Sequence, residues 1–264
     1  MSEHFIALIL GLVEGLTEFV PVSSTGHLIL VGHLLGFTGE RAATFEVFIQ
    51  LGAILAVVVL YRGRFRDLCR FRQVAGFYGW RALGLLALTT LPVLVVGALA
   101  RDVIKNDLFN PFTVAIGLAA GGLAILLVEG SLPPSRVEEV GGLTWREALL
   151  IGLFQCFALW PGVSRAAATI LGGMLVGLRR QAAAEYSFLA AVPALTAAAL
   201  FDLGRSLSIL SAPDVPVFAI GFAAAFGSAL LAIRFFIRLL GAGTLRPFGW
   251  YRLALAVMVV LQLG

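Results

Sequence analysis

The sequence predicts an all-α polytopic membrane protein of two inverted-topology repeats, each a re-entrant helix hairpin followed by three transmembrane helices. Three observations lead there. Apolar windows of membrane-spanning length recur along nearly the whole chain, two shorter apolar segments at matching places are broken by proline, and the basic residues gather in a few short loops. With 60% apolar and only 13% charged residues and a mean hydropathy of +0.99, the chain lies outside the composition of soluble globular proteins.

A helix needs about 20 apolar residues to cross roughly 30 Å of hydrocarbon. Full spans are expected at 44–61, 82–100, 111–128, 184–204, 216–240 and 248–264. No polar stretch is long enough for a soluble domain, so residues 1–264 form one integral membrane domain, with repeat 1 over about 1–130 and repeat 2 over about 140–264. The opening MSEHFIALIL has no basic n-region and no small-residue cleavage site, and is not expected to be a removable signal peptide.

A pI near 9.6 invites a nucleic-acid partner, but the placement of the basic residues argues against one. Arg62, Arg64, Arg66, Arg70, Arg72 and Arg81 bracket a single loop, the mark of a cytoplasmic connection. Setting that loop inside puts Arg136, Arg146, Arg179, Arg180, Arg234, Arg238 and Arg246 inside as well. Only Arg41, Arg101, Lys105 and Arg205 then face out, a bias of 13 to 4. Cys69 and Cys156 fall in a loop and a membrane segment, which disfavours a disulfide.

The halves echo each other. Gly11-Leu12 returns as Gly152-Leu153, Glu14 as Gln155 and Val22-Ser23 as Val163-Ser164, all at one offset (152 − 11 = 141). Ala42-Ala43-Thr44-Phe45-Glu46 resembles Gln181-Ala182-Ala183-Ala184-Glu185 at a nearby offset (185 − 46 = 139). Segment 5–19 is too short to span comfortably and meets Pro21; segment 148–160 stops the same way at Pro161-Gly162. Paired interruptions of this kind point to a site near the bilayer midplane. Three spans per half is an odd number, so the first hairpin (about 4–36) enters from outside and the second (about 148–178) from the cytoplasm, with both chain ends outside.

Ionisable groups at membrane depth are costly, so each is a candidate for function. Glu14 and Glu18, at i and i+4, share a helix face, and such a pair either binds a cation or shares a proton. Mg²⁺ or Ca²⁺ accepts a few carboxylates completed by water and phosphate oxygens. Ser23 or Ser24 caps a helix running to Leu34, and either hydroxyl can share a face with His27. A helix start there, with Thr25, offers free N–H groups to an anion. At the second tip, WPGVSRAAAT, Ser164 is the expected cap, and Arg165 either forks onto phosphate oxygens, with Thr169 and Gln155 near it, or forms a buried structural pair with Glu14 or Glu18. Glu46, Gln50 and Glu185 either line a cavity or bond between helices. The glycine face Gly117, Gly121 and Gly122 allows close packing within the chain or between chains, which leaves a homodimer open.

These residues carry a resemblance. The runs EGLTEFVPVSSTGH (14–27), FEVFIQLGAILAVV (45–58) and QCFALWPGVSRAAATILGGMLVG (155–177) closely resemble the bacterial undecaprenyl-diphosphate phosphatase, or bacitracin-resistance protein, family, and the likeness covers essentially the whole chain. It implies an integral enzyme of the bacterial cytoplasmic (inner) membrane. Such an enzyme removes the terminal phosphate of a C55 polyprenyl diphosphate lipid at the outer, periplasmic face, which regenerates the carrier for peptidoglycan and confers bacitracin resistance. By position, the family's acidic motif falls on Glu14 and Glu18, its serine–histidine motif on Ser23, Ser24 and His27, and its PGxSR motif on Pro161, Gly162, Ser164, Arg165 and Thr169. Many members carry a serine after the arginine, where this chain has Ala166.

The expected chemistry sets Ser24, His27, Glu18, Glu14 and Arg165 as catalytic residues. Ser23, Thr25, Ser164, Thr169 and Gln155 are expected to bind substrate, and Glu18 with Glu14 to hold the divalent cation. Ser24 attacks phosphorus while His27 takes its proton; attack by His27 itself or by a metal-bound water are the rival routes. The rival class is a transporter or flippase for a lipid phosphate or other anion, since paired broken helices also mark secondary transporters.

Overall fold

The computed structural model describes residues 1–72, 76–108, 110–206 and 211–263. The side chain of Lys105, expected on the outside, lies beyond the described set, as does Gly264 at the end of the last expected span. The order begins with α1 (Glu3–Thr17), α2 (Ser24–Leu34), α3 (Glu40–Leu60), α4 (Arg62–Asp67), α5 (Gly79–Leu99), α6 (Arg101–Val103) and α7 (Pro111–Glu129). It continues with α8 (Trp145–Cys156), α9 (Arg165–Leu175), α10 (Arg180–Ser206), α11 (Asp214–Ala242) and α12 (Arg246–Leu263).

Five helices, α3, α5, α7, α10 and α11, are long and apolar enough to cross a membrane, and the protein is an all-α multi-pass membrane protein. The sixth expected span is α12, which is helical over 18 residues but is not among the five. Arg246 and Arg252 in its first half lower its hydropathy. Large apolar side chains such as Leu91, Leu99, Leu127, Leu231, Phe235 and Leu261 point outward from these helices. In water that surface would be an aggregation hazard; in hydrocarbon it is the solvent-facing side.

The short helices are tucked between the long ones. α1 lies along α11 and α8 along α5, so each packs on a span from the other half of the sequence. α3 meets both α10 and α11, and α7 pairs with α12. Small residues allow these approaches, as membrane helix packing requires. A Cβ on Gly11 would collide with the Gly221 carbonyl, and one on Gly15 with Ser228. The glycine face of α7 is spent within the chain: Gly117 faces the Pro161 carbonyl, Gly121 the Arg252 guanidinium and Gly122 the Gly249 carbonyl.

Charged residues fasten the ends of the helices. At one end Arg41 forks onto Glu3 (2.9 Å on each branch) and reaches Asp214 at 2.5 Å, which ties α1, α3 and α11 together. Hydrogen bonding to Arg41 and its charge hold the exposed Glu3 carboxyl below the usual carboxylate range. At the opposite end Arg180 binds Glu129, whose second oxygen accepts the Leu245 N–H at 3.1 Å. Glu185, one of three polar residues with two open readings, bonds Arg64 at 2.7 Å. A capping box between Thr144 and Glu147 starts α8.

Candidate active site

Both short pairs break in the same way. α1 ends at Thr17, the chain turns through Pro21, and α2 starts at Ser24. α8 runs into a 3₁₀ turn (Phe157–Leu159), passes Pro161-Gly162, and α9 starts at Arg165. Ser23 (φ 72°) and Ser164 (φ 71°), at the 141-residue offset, are the non-glycine residues with positive φ among those described. An L side chain rarely sits there, and such strain is held only by surrounding structure. The gain is a cap: Ser23 Oγ accepts the Gly26 N–H at 3.4 Å and Ser164 Oγ the Ala167 N–H at 3.2 Å. The remaining free N–H groups of α2 and α9 start beside the break.

Between the tips lie a hydroxyl, a carboxylate and a guanidinium in series. Ser24 Oγ donates to Glu18 Oε2 at 2.6 Å. Glu18 Oε1 accepts from Arg165 Nη2 at 3.0 Å, with both side chains more than nine-tenths buried. Arg165 Nη1 donates to the carbonyl and the hydroxyl of Ser187, each at 3.1 Å, and its guanidinium sits 5.2 Å above the centre of the Phe19 ring. Arg165 Nε is buried without a hydrogen-bond partner among the described residues, which leaves it a donor for an incoming anion. A cavity of about 140 Å³ opens here, lined by Glu18, Ser24, Thr25, Ser164 and Arg165 among others. It has room for a phosphate headgroup and none for a long isoprenoid chain.

The expected site residues divide into two sets. Glu18, Ser23, Ser24, Thr25, Ser164 and Arg165 line that cavity together, and Gln50 joins them. Glu14, His27, Thr169 and Gln155 do not. Glu14 is buried one turn behind Glu18, and its Oε1 has no hydrogen-bond partner among the described residues. Thr169 bonds the Arg165 carbonyl at 2.8 Å and Ser187 Oγ at 2.6 Å, so it steadies the arginine from behind. Gln155 donates to the Thr89 carbonyl at 3.2 Å, three residues before Pro92 in α5. A neighbouring helix that supplies a donor beside a proline break is a usual accommodation within membranes. Glu46 lines a separate cavity, of about 430 Å³, with His33 and Asn110.

The structure shows no hydrogen bond between the expected partners Ser24 and His27. His27 Nδ1 lies 2.7 Å from the Ser23 carbonyl and Nε2 lies 2.6 Å from the Tyr251 hydroxyl, with the two rings stacked at 5.6 Å. A carbonyl only accepts, so Nδ1 carries the proton and neutral Nε2 accepts from tyrosine. The spacing did bring His27 over Ser23, but onto its backbone oxygen. The carboxylate of Glu18 holds the Ser24 hydroxyl instead.

Three neighbours were missed. Ser187 is a small hydroxyl in an apolar span and gave no signal. Tyr251 and Arg252 did: both lie within an expected span, and an arginine there is a marked residue. Arg252 is wholly buried and donates to four carbonyl oxygens.

A multi-pass helical membrane fold around a buried arginine, two helix starts and a carboxylate-bound serine defines a membrane protein with a polar, anion-receptive cavity. Comparison with known proteins narrows that class. Residues 7–258 match the family model for the bacitracin resistance protein BacA, and the chain belongs to this family. It is 56% identical over 260 residues to an undecaprenyl-diphosphatase of Maridesulfovibrio salexigens, which covers 98% of each chain. It is 57% identical over 259 residues to the undecaprenyl-diphosphatase of Nitratidesulfovibrio vulgaris strain DP4, again 98% of each. An undecaprenyl-diphosphatase 1 of Bacillus cereus is 48% identical over 265 residues, 99% of this chain and 98% of that one.

Proposed function

We infer that this chain hydrolyses undecaprenyl diphosphate to undecaprenyl phosphate and inorganic phosphate, and so recycles the lipid carrier for cell-envelope synthesis and confers bacitracin resistance. Family membership and the names of relatives at 54–57% identity support the reaction. The observation that carries the chemistry is the Ser24–Glu18 hydrogen bond of 2.6 Å beside Arg165. A transporter needs the arginine and the helix starts, but it has no use for a serine hydroxyl held by a carboxylate.

Ser24 Oγ attacks the terminal phosphorus while Glu18 takes its proton, and the bond from that phosphorus to the bridging oxygen breaks. The leaving lipid monophosphate departs as an anion and needs no proton. Arg165 and the free N–H groups at the starts of α2 and α9 neutralise the charge on the phosphoryl oxygens. Water then displaces Oγ from the phosphoserine, and Glu18 returns the proton to it. The isoprenoid tail stays outside the 140 Å³ cavity, in lipid.

Glu14 and Glu18 fit a divalent cation through one observation, the buried Glu14 Oε1 without a hydrogen-bond partner among the described residues. No group of three or more His, Cys, Asp or Glu gathers for a metal among the described residues, so diphosphate oxygens and water would have to complete the shell. Bound there, Mg²⁺ or Ca²⁺ would offset diphosphate charge. The two broken pairs are re-entrant hairpins of inverted repeats: the matching serine geometry and the packing of α1 on α11 and α8 on α5 support this. The arginine bias supports a site open to the periplasmic face of the inner membrane.

The test is phosphate release from a prenyl diphosphate by detergent-purified protein, with and without EDTA, together with acid quenching. Label recovered on Ser24 supports the scheme. Acid-labile label on histidine, or full turnover by Ser24→Ala, overturns it.

A further inference from the structure

We propose that Arg252 is a positioning residue that braces both tip turns and thereby sets the spacing of Ser24 from Arg165, a role that rests on the catalytic reading above. Its guanidinium is fully buried within α12 and has no carboxylate partner among the described residues. Each of its three nitrogens donates to a backbone oxygen. Nη1 donates to the Pro21 carbonyl of the first tip at 3.3 Å and Nη2 to the Gly162 carbonyl of the second at 2.8 Å. Nη2 also reaches the Gly117 carbonyl at 3.1 Å, and Nε the Leu118 carbonyl at 3.3 Å, both on α7.

A buried cation without a counter-charge is expensive, and carbonyl dipoles repay that only when several converge. Stability alone is an inefficient reason for such a group, because an apolar side chain of similar volume would serve. The contacts themselves show what the arginine does that an apolar residue cannot. A planar fork fixes Pro21 and Gly162 to one rigid body. Each of these residues lies two positions before a strained serine cap, Ser23 or Ser164. Without a brace, each cap has other backbone conformations open to it.

A second contact from the next residue of α12 points the same way. Tyr251 bonds His27, whose other nitrogen holds the Ser23 carbonyl. Adjacent residues of one helix therefore steady the first tip at Pro21 and at Ser23, and Arg252 alone carries the tie to the second. The room for this fork comes from Gly121, where any Cβ would strike the guanidinium.

The test uses Arg252→Lys, which keeps the charge but cannot fork, Arg252→Met, and Tyr251→Phe, each as full-length protein in detergent. For Arg252→Lys we expect kcat for phosphate release from a short-chain prenyl diphosphate to fall at least tenfold while KM moves less than threefold. Arg252→Met loses the charge behind the cavity wall as well and raises KM. Amide hydrogen exchange supplies a readout independent of activity. In Arg252→Lys it should rise at Ser24–Gly26 and at Arg165–Ala167 together, with α1, α7 and α11 unchanged; in Tyr251→Phe it should rise at the first tip only. Exchange that rises across all helices would make Arg252 a fold residue and overturn the proposal, as would native kcat with both tips unaltered. Should Ser24→Ala prove fully active, the catalytic reading fails while the exchange pattern still decides whether Arg252 braces the tips.

Discussion

The two tips share a backbone and differ in what hangs from it. Each has a proline turn, a serine cap near φ 70° and a new helix. The first presents Glu18 and Ser24, and the second presents Arg165. The first helix buries Glu14 and the second Gln155, and each has an Oε1 without a hydrogen-bond partner among the described residues. Only Gln155 also has an amide nitrogen, which bonds the backbone of α5. A common scaffold thus carries a carboxylate and a hydroxyl on one tip and a guanidinium on the other, and the three meet in one hydrogen-bonded series.

The sharpest way to break that division is to remove its two centres. Ser24→Ala is expected to lower kcat at least ~10³-fold, since it deletes the attacking group, with lipid binding kept in an equilibrium assay. Arg165→Ala is expected to cost about 10²–10³-fold, the range for loss of one preorganised charge donor. Because it also frees Glu18 of its ion pair, KM should change with kcat, unlike in Ser24→Ala.

Copying the second half into the first asks whether the buried acid matters. Glu14→Gln should leave the fold intact and blunt the response of turnover to added Mg²⁺ or Ca²⁺, measured by titration after EDTA. An unchanged metal response would detach Glu14 from the cation. The caps should behave alike: Ser23→Gly and Ser164→Gly relieve strain and lose one bond, so thermal stability should move by under about 1 kcal/mol. Valine at either place should be much worse, because a β-branched residue resists positive φ.

The smallest effect concerns how the first hairpin is anchored. Arg41 holds the Glu3 carboxyl below its usual range, so this tie stabilises the fold above the ordinary carboxylate pKa, about 4.3, and is lost as pH falls through the lowered value. Glu3→Gln should lower the melting temperature slightly at neutral pH, and the difference should shrink as pH falls below the ordinary carboxylate range. The capping box of Thr144 and Glu147 holds the second hairpin through backbone contacts at Thr144 and Glu147 themselves.

Much of this was legible in the chain because membrane burial makes polarity conspicuous. Glu18, Ser24 and Arg165 stand out against apolar neighbours, and proline marks the turns. Which partner each polar group takes was legible only in part. A pair of Arg165 with Glu14 or Glu18 was one of two readings, whereas the Ser24–Glu18 bond gave no signal. His27 and Ser24 lie three residues apart, so spacing put them on one face, but the turn at Glu18–Pro21 folds the acid onto the serine first. Arg252 carried a signal, an arginine inside an expected span, but its tie to both tips shows only in the carbonyls around it. Ser187 required the tertiary fold, since nothing local distinguishes it.

The Glu18–Arg165 ion pair has a further consequence for how turnover must begin and end. A resting site that carries its own internal counter-ion works as an ion exchanger. On the proposed mechanism, substrate would enter by displacing a tethered carboxylate from the guanidinium, and product would leave when that carboxylate returns. The tether would keep the competitor at a fixed high local concentration, so inorganic phosphate should be a weak inhibitor even though the charge that holds it is largely buried.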